Sequence, residues 1–184
     1  MRHFLLRSLV VIPSVSILSL LQISAATKSG LPDKPNFSGN WTLDVQSSSS
    51  LEPLMKQIGA SPLDAKYAAS TALKAALQQT EDILTVATRG PGLALDQTLY
   101  LDGRSDPNNL QLLGATSINT KTAWSKDYKE LVETHQIKTK QGKEGQLIVK
   151  RYLINGGETL VVAFTLQING ESDEASARQI WHKV

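Results

Sequence analysis

Between Pro35 and Val184 the apolar residues recur mostly at every second position, in short runs separated by polar turns; one interval switches to helical spacing. Phe37, Gly39, Trp41, Leu43 and Val45 alternate with polar neighbours, the period of a strand with one buried face. The serine run 47–50 ends it. From Leu51 the period changes, because Leu51, Leu54, Met55 and Ile58 fall on one helical face and Gly59 supplies the stop. A second helix opens at Ser61-Pro62-Leu63-Asp64, with a capping hydroxyl, proline at the first helical position and an acid in the first turn, and runs to about Ala72. On propensity alone Leu73–Gln79 fits either an extension of that helix or a strand.

Beyond it strand signals return at short, even spacing: Leu93–Leu101, Leu110–Gly114, Thr116–Trp124, Leu131–Lys138, Gln146–Ile154, Thr159–Ile168 and Ala175–His182. Turn residues separate them, including Asp102-Gly103, Gln141-Gly142, Asn155-Gly156-Gly157 and Asn169-Gly170. Asp102–Asp106 resembles the opening of a calcium loop, but its glycine spacing and the missing terminal acid make it a turn.

The segment before this pattern is of another kind. Met1–Ala26 opens with Arg2, His3 and Arg7, continues through an acid-free apolar stretch and closes on Ser24-Ala25-Ala26, a small-x-small cleavage pattern. It reads as an export signal over 1–26, followed by a polar linker over 27–35 and a folded domain over 36–184. A retained signal anchor is the alternative, since a span needs about 20 apolar residues. The protein is then expected to be exported, periplasmic or secreted.

Charge and cysteine content remove several functions. There are 19 Lys and Arg against 17 Asp and Glu, and Arg2 and Arg7 account for the difference, so the mature chain is balanced. A balanced chain with scattered charges has no electrostatic basis for gripping nucleic acid or an anionic membrane face. There is no cysteine, which removes thiolate metal sites, thiol nucleophiles and disulfides. No nucleophile elbow, zinc-protease helix or phosphate loop occurs. His135 and His182 lie on separate strands, too few for a metal site, and are read as surface or hydrogen-bonded core residues.

Pro-Asn-Phe-Ser-Gly-Asn-Trp-Thr-Leu, from Pro35, followed directly by two short helices, resembles the start of the fatty-acid- and retinoid-binding proteins within the lipocalin-like (calycin) group. The resemblance implies a mainly β fold: an up-and-down antiparallel β-barrel with a two-helix lid after the first strand, and Trp41 plugging the closed end. It also favours a strand at Leu73–Gln79, with a hairpin turn in the acidic cluster that follows. The implied function is binding, sequestration or transport of a small hydrophobic ligand, fatty-acid- or retinoid-like, by a monomer that is not an enzyme, needs no cofactor, and touches membranes transiently at most. The alternative from another class is a small exported barrel with a packed interior that binds protein, such as a protease inhibitor.

A ligand carboxylate inside a barrel needs a cationic or hydroxyl partner, because an unpaired buried charge is costly. Arg151 resembles the family's second inward arginine, and alternation agrees, since Leu147, Val149 and Leu153 share its face. Arg178 lies in the last strand, where the family carries an Arg-x-Tyr pair; Ile180 stands at the tyrosine position and Trp181 is one residue out of phase. For both arginines the competing assignment is a solvated strand position or a surface salt bridge. Leu54, Met55 and Ile58 contact ligand if the helices form a lid, or pack onto the sheet if they do not.

Overall fold

The computed structural model describes residues 33–107, 111–112 and 115–184, so the expected signal and most of the linker lie outside the described residues. Strand β1 (Gly39–Asp44) leads through α1 (Glu52–Gln57) and α2 (Pro62–Ser70) into β2 (Lys74–Gln79), β3 (Ile83–Gly90), β4 (Leu93–Tyr100) and β5 (Asp102–Asp106). A short β6 (Gln111–Leu112) precedes the long strands β7 (Ala115–Trp124), β8 (Leu131–Thr139), β9 (Glu144–Ile154), β10 (Thr159–Ile168) and β11 (Glu174–Lys183). Pairing runs β4-β3-β2-β1-β11-β10-β9-β8-β7-β5, antiparallel throughout, with β6 on β7. The first and last strands pair, Leu43 opposite Trp181, which bends the sheet into a nearly closed barrel with β4 and β5 at its free edges.

The two helices sit between β1 and β2, where the change of period placed them. In α2 the Ser61 hydroxyl accepts from the Asp64 backbone N–H at 3.1 Å and donates to its carboxylate at 2.8 Å, satisfying a donor at the helix start. The helix ends at Ser70, and Leu73 already accepts from the Leu43 amide, so the ambiguous segment is strand. Asp102–Asp106, read as a turn, is instead strand β5. It pairs Asp102 with Ala123 and Ser105 with Lys121 across an irregularity. A polar edge strand has no apolar face to bury and so carries no period.

One end of the barrel is plugged by aromatics. Trp41 is fully buried and its indole N–H donates to the Phe37 carbonyl at 3.0 Å. Phe37 in turn stacks on Trp124, ring centroids 5.8 Å apart and 8° from parallel. The glycine of the Gly-x-Trp signature has a backbone reason: Gly39 sits at φ +146°, and a Cβ there would lie 3.1 Å from the Lys183 side chain.

Candidate functional site

Alternation along the long strands decides what faces the interior. On β9 the buried residues are Gly145, Leu147, Val149 and Arg151. Opposite them on β10 stand Ile168, Leu166, Phe164 and Val162, and the next ladder sets Ala177 against Phe164, Gln179 against Val162 and Trp181 against Leu160. Arg178 therefore lies on the outer face, opposite Ala163, and is exposed. The sequence-based assignment of Arg178 to the interior is corrected: the odd-numbered residues of β11 face in because their partners on β10 do, so Gln179 and Trp181 take the inward positions.

Arg151 is buried, as its alternation indicated, but its charge is already met. Glu133, on β8, is 1% exposed and ion-paired with the Arg151 guanidinium. His135, two residues on and on the same face, places Nε2 3.3 Å from the second Glu133 oxygen. Its Nδ1 lies 3.0 Å from the Thr120 hydroxyl, which is 3.2 Å from the Ser117 hydroxyl. Burial pushes the His135 imidazole down to about 4 and pulls the Arg151 guanidinium down to about 10. At neutral pH the ring is therefore uncharged and the guanidinium protonated, so this cluster holds one positive and one negative charge. A neutral ring that accepts at Nδ1 from Thr120 carries its proton on Nε2, the nitrogen nearer Glu133.

A bulge in β7 makes the cluster possible. The β7–β8 register shifts between Ser117 and Asn119, so Ser117 and Thr120 both face inward although they are three positions apart. Ile118, the residue passed over, is turned to solvent. The resulting hydroxyl–imidazole–carboxylate order superficially matches a nucleophile with its base. However, Glu133 and His135 line the interior cavity while Ser117 and Thr120 do not. The hydroxyls stand behind the ring and fix its orientation.

That cavity has a volume of about 180 Å³ and apolar walls that include Ala75, Leu77, Val86, Val149, Leu160 and Val162. Its polar wall consists of Glu133, His135, Arg151, Gln179 and Gln97, with Thr88 and Trp181 beside them. The Trp181 indole nitrogen is buried without a hydrogen-bond partner among the described residues. A second cavity of about 380 Å³ lies beneath the helices, walled by Leu51, Leu54, Met55, Ile58, Tyr67 and Ala68 among others. Leu73, Leu93, Leu95, Leu147 and Phe164 line both, so the two spaces adjoin along one apolar tract. Leu54, Met55 and Ile58 are thus buried under the helices and face this outer cavity. The inner space alone is smaller than the usual 300–1,000 Å³ of a ligand pocket, and the outer one falls within that range.

Glu133, Gln179 and Trp181 were not singled out as site residues by the sequence. A signal was available for Glu133: Leu131 and Ile137 lie on its strand with the same parity, which places both Glu133 and His135 inside.

No family model matches the chain, and no curated protein does. Among solved structures, lipid binding protein 8 of Caenorhabditis elegans superposes with a TM-score of 0.61 at 16% identity, over 80% of this chain and 95% of the other. A Schistosoma mansoni fatty acid binding protein in complex with arachidonic acid gives 0.60 at 15% identity, over 80% and 96%. Human cRBP IV gives 0.59 at 17% identity, over 83% and 100%. The chain shares the β-barrel fold of these solved structures, and its own two helices follow the first strand.

Proposed function

We propose that this protein binds and carries a small hydrophobic ligand inside its barrel, and that it does so outside the cytoplasm as a monomer without catalytic activity. The observation that carries the reading is the apolar tract running from the Arg151–Glu133 pair to the space beneath α1 and α2. Walls of this kind bind by removing ligand surface from water, at about 25 cal/mol per Å². A barrel that served only to present its outer surface to a protein would gain from filling this space, since unfilled apolar volume costs stability. The hollow interior therefore favours a carrier over a packed protein-binding module such as an inhibitor. Leu54, Met55 and Ile58 form the ligand-facing side of the lid in this reading, and Arg151 belongs to the polar inner end.

Native mass spectrometry of the purified mature protein tests it. A non-covalent adduct released on activation, with a mass in the lipid range, is the expected result. A bare protein that also fails to quench or brighten any apolar fluorescent probe would remove the carrier reading. The exported location rests on Met1–Ala26. N-terminal sequencing of the exported protein is expected to begin at Thr27, and an intact Met1 in the membrane fraction would contradict cleavage.

A further inference from the structure

We infer that the ligand carries an electroneutral, hydrogen-bonding head group, such as a hydroxyl, amide or ester, and that Glu133 is the residue that excludes a free carboxylate. The inference rests on the carrier reading and adds to it the chemistry of the inner end. Among the described residues, three titratable side chains line the inner cavity: Glu133, His135 and Arg151. Glu133 and Arg151 cancel, both being more than nine-tenths buried and in contact. His135 approaches Glu133 through Nε2 and takes its other contacts from Thr120 and Ser117, and burial disfavours its charged form.

A carboxylate entering such a site would find no unmatched cation among the described residues. It would have to displace Glu133 from Arg151, leaving one of two carboxylates buried and unpaired, or take up a proton; both routes are costly in an enclosed space. An ammonium head meets the mirror-image problem at Arg151. An uncharged head meets neither. It can accept from the Trp181 indole N–H, which has no partner among the described residues, and exchange hydrogen bonds with the Gln179 amide, which occupies the inward position of the last strand. Leaving those groups dry and unpaired is itself unfavourable, so a neutral head with a donor or an acceptor gains what a bare alkane does not.

The test uses one tail with three heads. Decanol, decanoate and decylammonium are titrated at neutral pH into the full mature protein by calorimetry, with tryptophan emission as a second readout. Decanol is expected to bind at least roughly tenfold more tightly than either ion. In Glu133→Gln, Arg151 is left unmatched and decanoate is expected to gain at least roughly tenfold relative to decanol. Decanoate binding the wild type as tightly as decanol would overturn the inference while leaving the carrier reading intact, and so would a preference for decylammonium. Binding of none of the three would remove the carrier reading and this one with it. If circular dichroism shows Glu133→Gln to be unfolded, the three-way comparison in the wild type decides alone.

Discussion

Glu133 and Arg151 stand diagonally across the β8–β9 ladder, Glu133 opposite Val149 and Leu131 opposite Arg151, so the two side chains meet over one step of the inner face. Diagonal neighbours in an antiparallel pair are about 7–8 Å apart at Cα, within reach of long side chains. The register of two strands therefore sets the electrostatics of the cavity. A slip of one residue in either strand would turn its charge to solvent and leave the other buried without its partner.

Because the pair is buried, its members are worth more as a pair than either is alone. Removing one partner strands the other charge, and Arg151→Met is expected to lower stability by about 3–5 kcal/mol. The double variant Glu133→Leu/Arg151→Met leaves no charge behind and is expected to be more stable than the single one. Urea melts of the three proteins measure this. A double variant weaker than Arg151→Met would mean that the pair contributes through packing and not through charge.

His135 makes stability depend on pH in a defined window. Its imidazole titrates at about 4 in the fold, against about 6.5 in an unfolded chain. Between those values the unfolded chain holds more protons than the folded one, so stability falls as pH falls through about 6.5 toward about 4, and this contribution is spent below that. At about 1.36 kcal/mol per unit the loss amounts to about 3 kcal/mol. His135→Gln has no such proton to take up. Comparing the two proteins in urea at neutral and mildly acidic pH is expected to show a steeper decline for the wild type; parallel curves would place the titrating ring in contact with water.

What the sequence made legible follows from where a period exists. Trp41 and Arg151 were readable because each sits among apolar residues of its own parity. Glu133 and His135 carried the same signal between Leu131 and Ile137, but Val132 on the other face blurs it, and an acid is ordinarily a solvent-facing residue. Arg178 misled for the opposite reason: the family pattern drew attention to the arginine, while the parity of Ala177 and Trp181 pointed to Gln179. The bulge at Ile118 reverses the phase of β7 midway, and no local residue preference announces it. The size of the cavity was beyond reach too, since it depends on how small residues such as Ala75 and Ala177 are distributed against Phe164 and Trp181 around the whole ring.

Trp41 gives the most direct test of the closed end. The ring is fully buried and tied to Phe37, so Trp41→Ala is expected to cost about 3–5 kcal/mol. Trp41→Phe keeps most of the apolar volume and gives up the indole hydrogen bond. A smaller loss than that of the alanine variant is expected, including about 1 kcal/mol for the bond. A change below about 1 kcal/mol for the alanine variant in a urea melt would contradict a plug at this position.

The helices can be removed without asking the strands to reach further, because Thr42 pairs with Lys74 and the end of β1 already lies beside the start of β2. Replacing Leu51–Ala72 with a short Gly-Ser linker takes away Leu54, Met55 and Ile58 from the outer cavity and leaves the inner walls in place. Uncovering about 60 Å² of a bound apolar ligand would cost about 1.5 kcal/mol, or roughly tenfold in affinity. A ligand that escapes without waiting for a lid to open should also leave faster, so stopped-flow displacement is expected to show a higher dissociation rate with the association rate less changed. The sheet content in far-ultraviolet circular dichroism should persist, which separates a lost lid from a lost fold. If affinity and both rates stay as they were while the barrel remains folded, α1 and α2 merely pack on the sheet, and access to the cavity lies elsewhere, at the unpaired edges of β4 and β5.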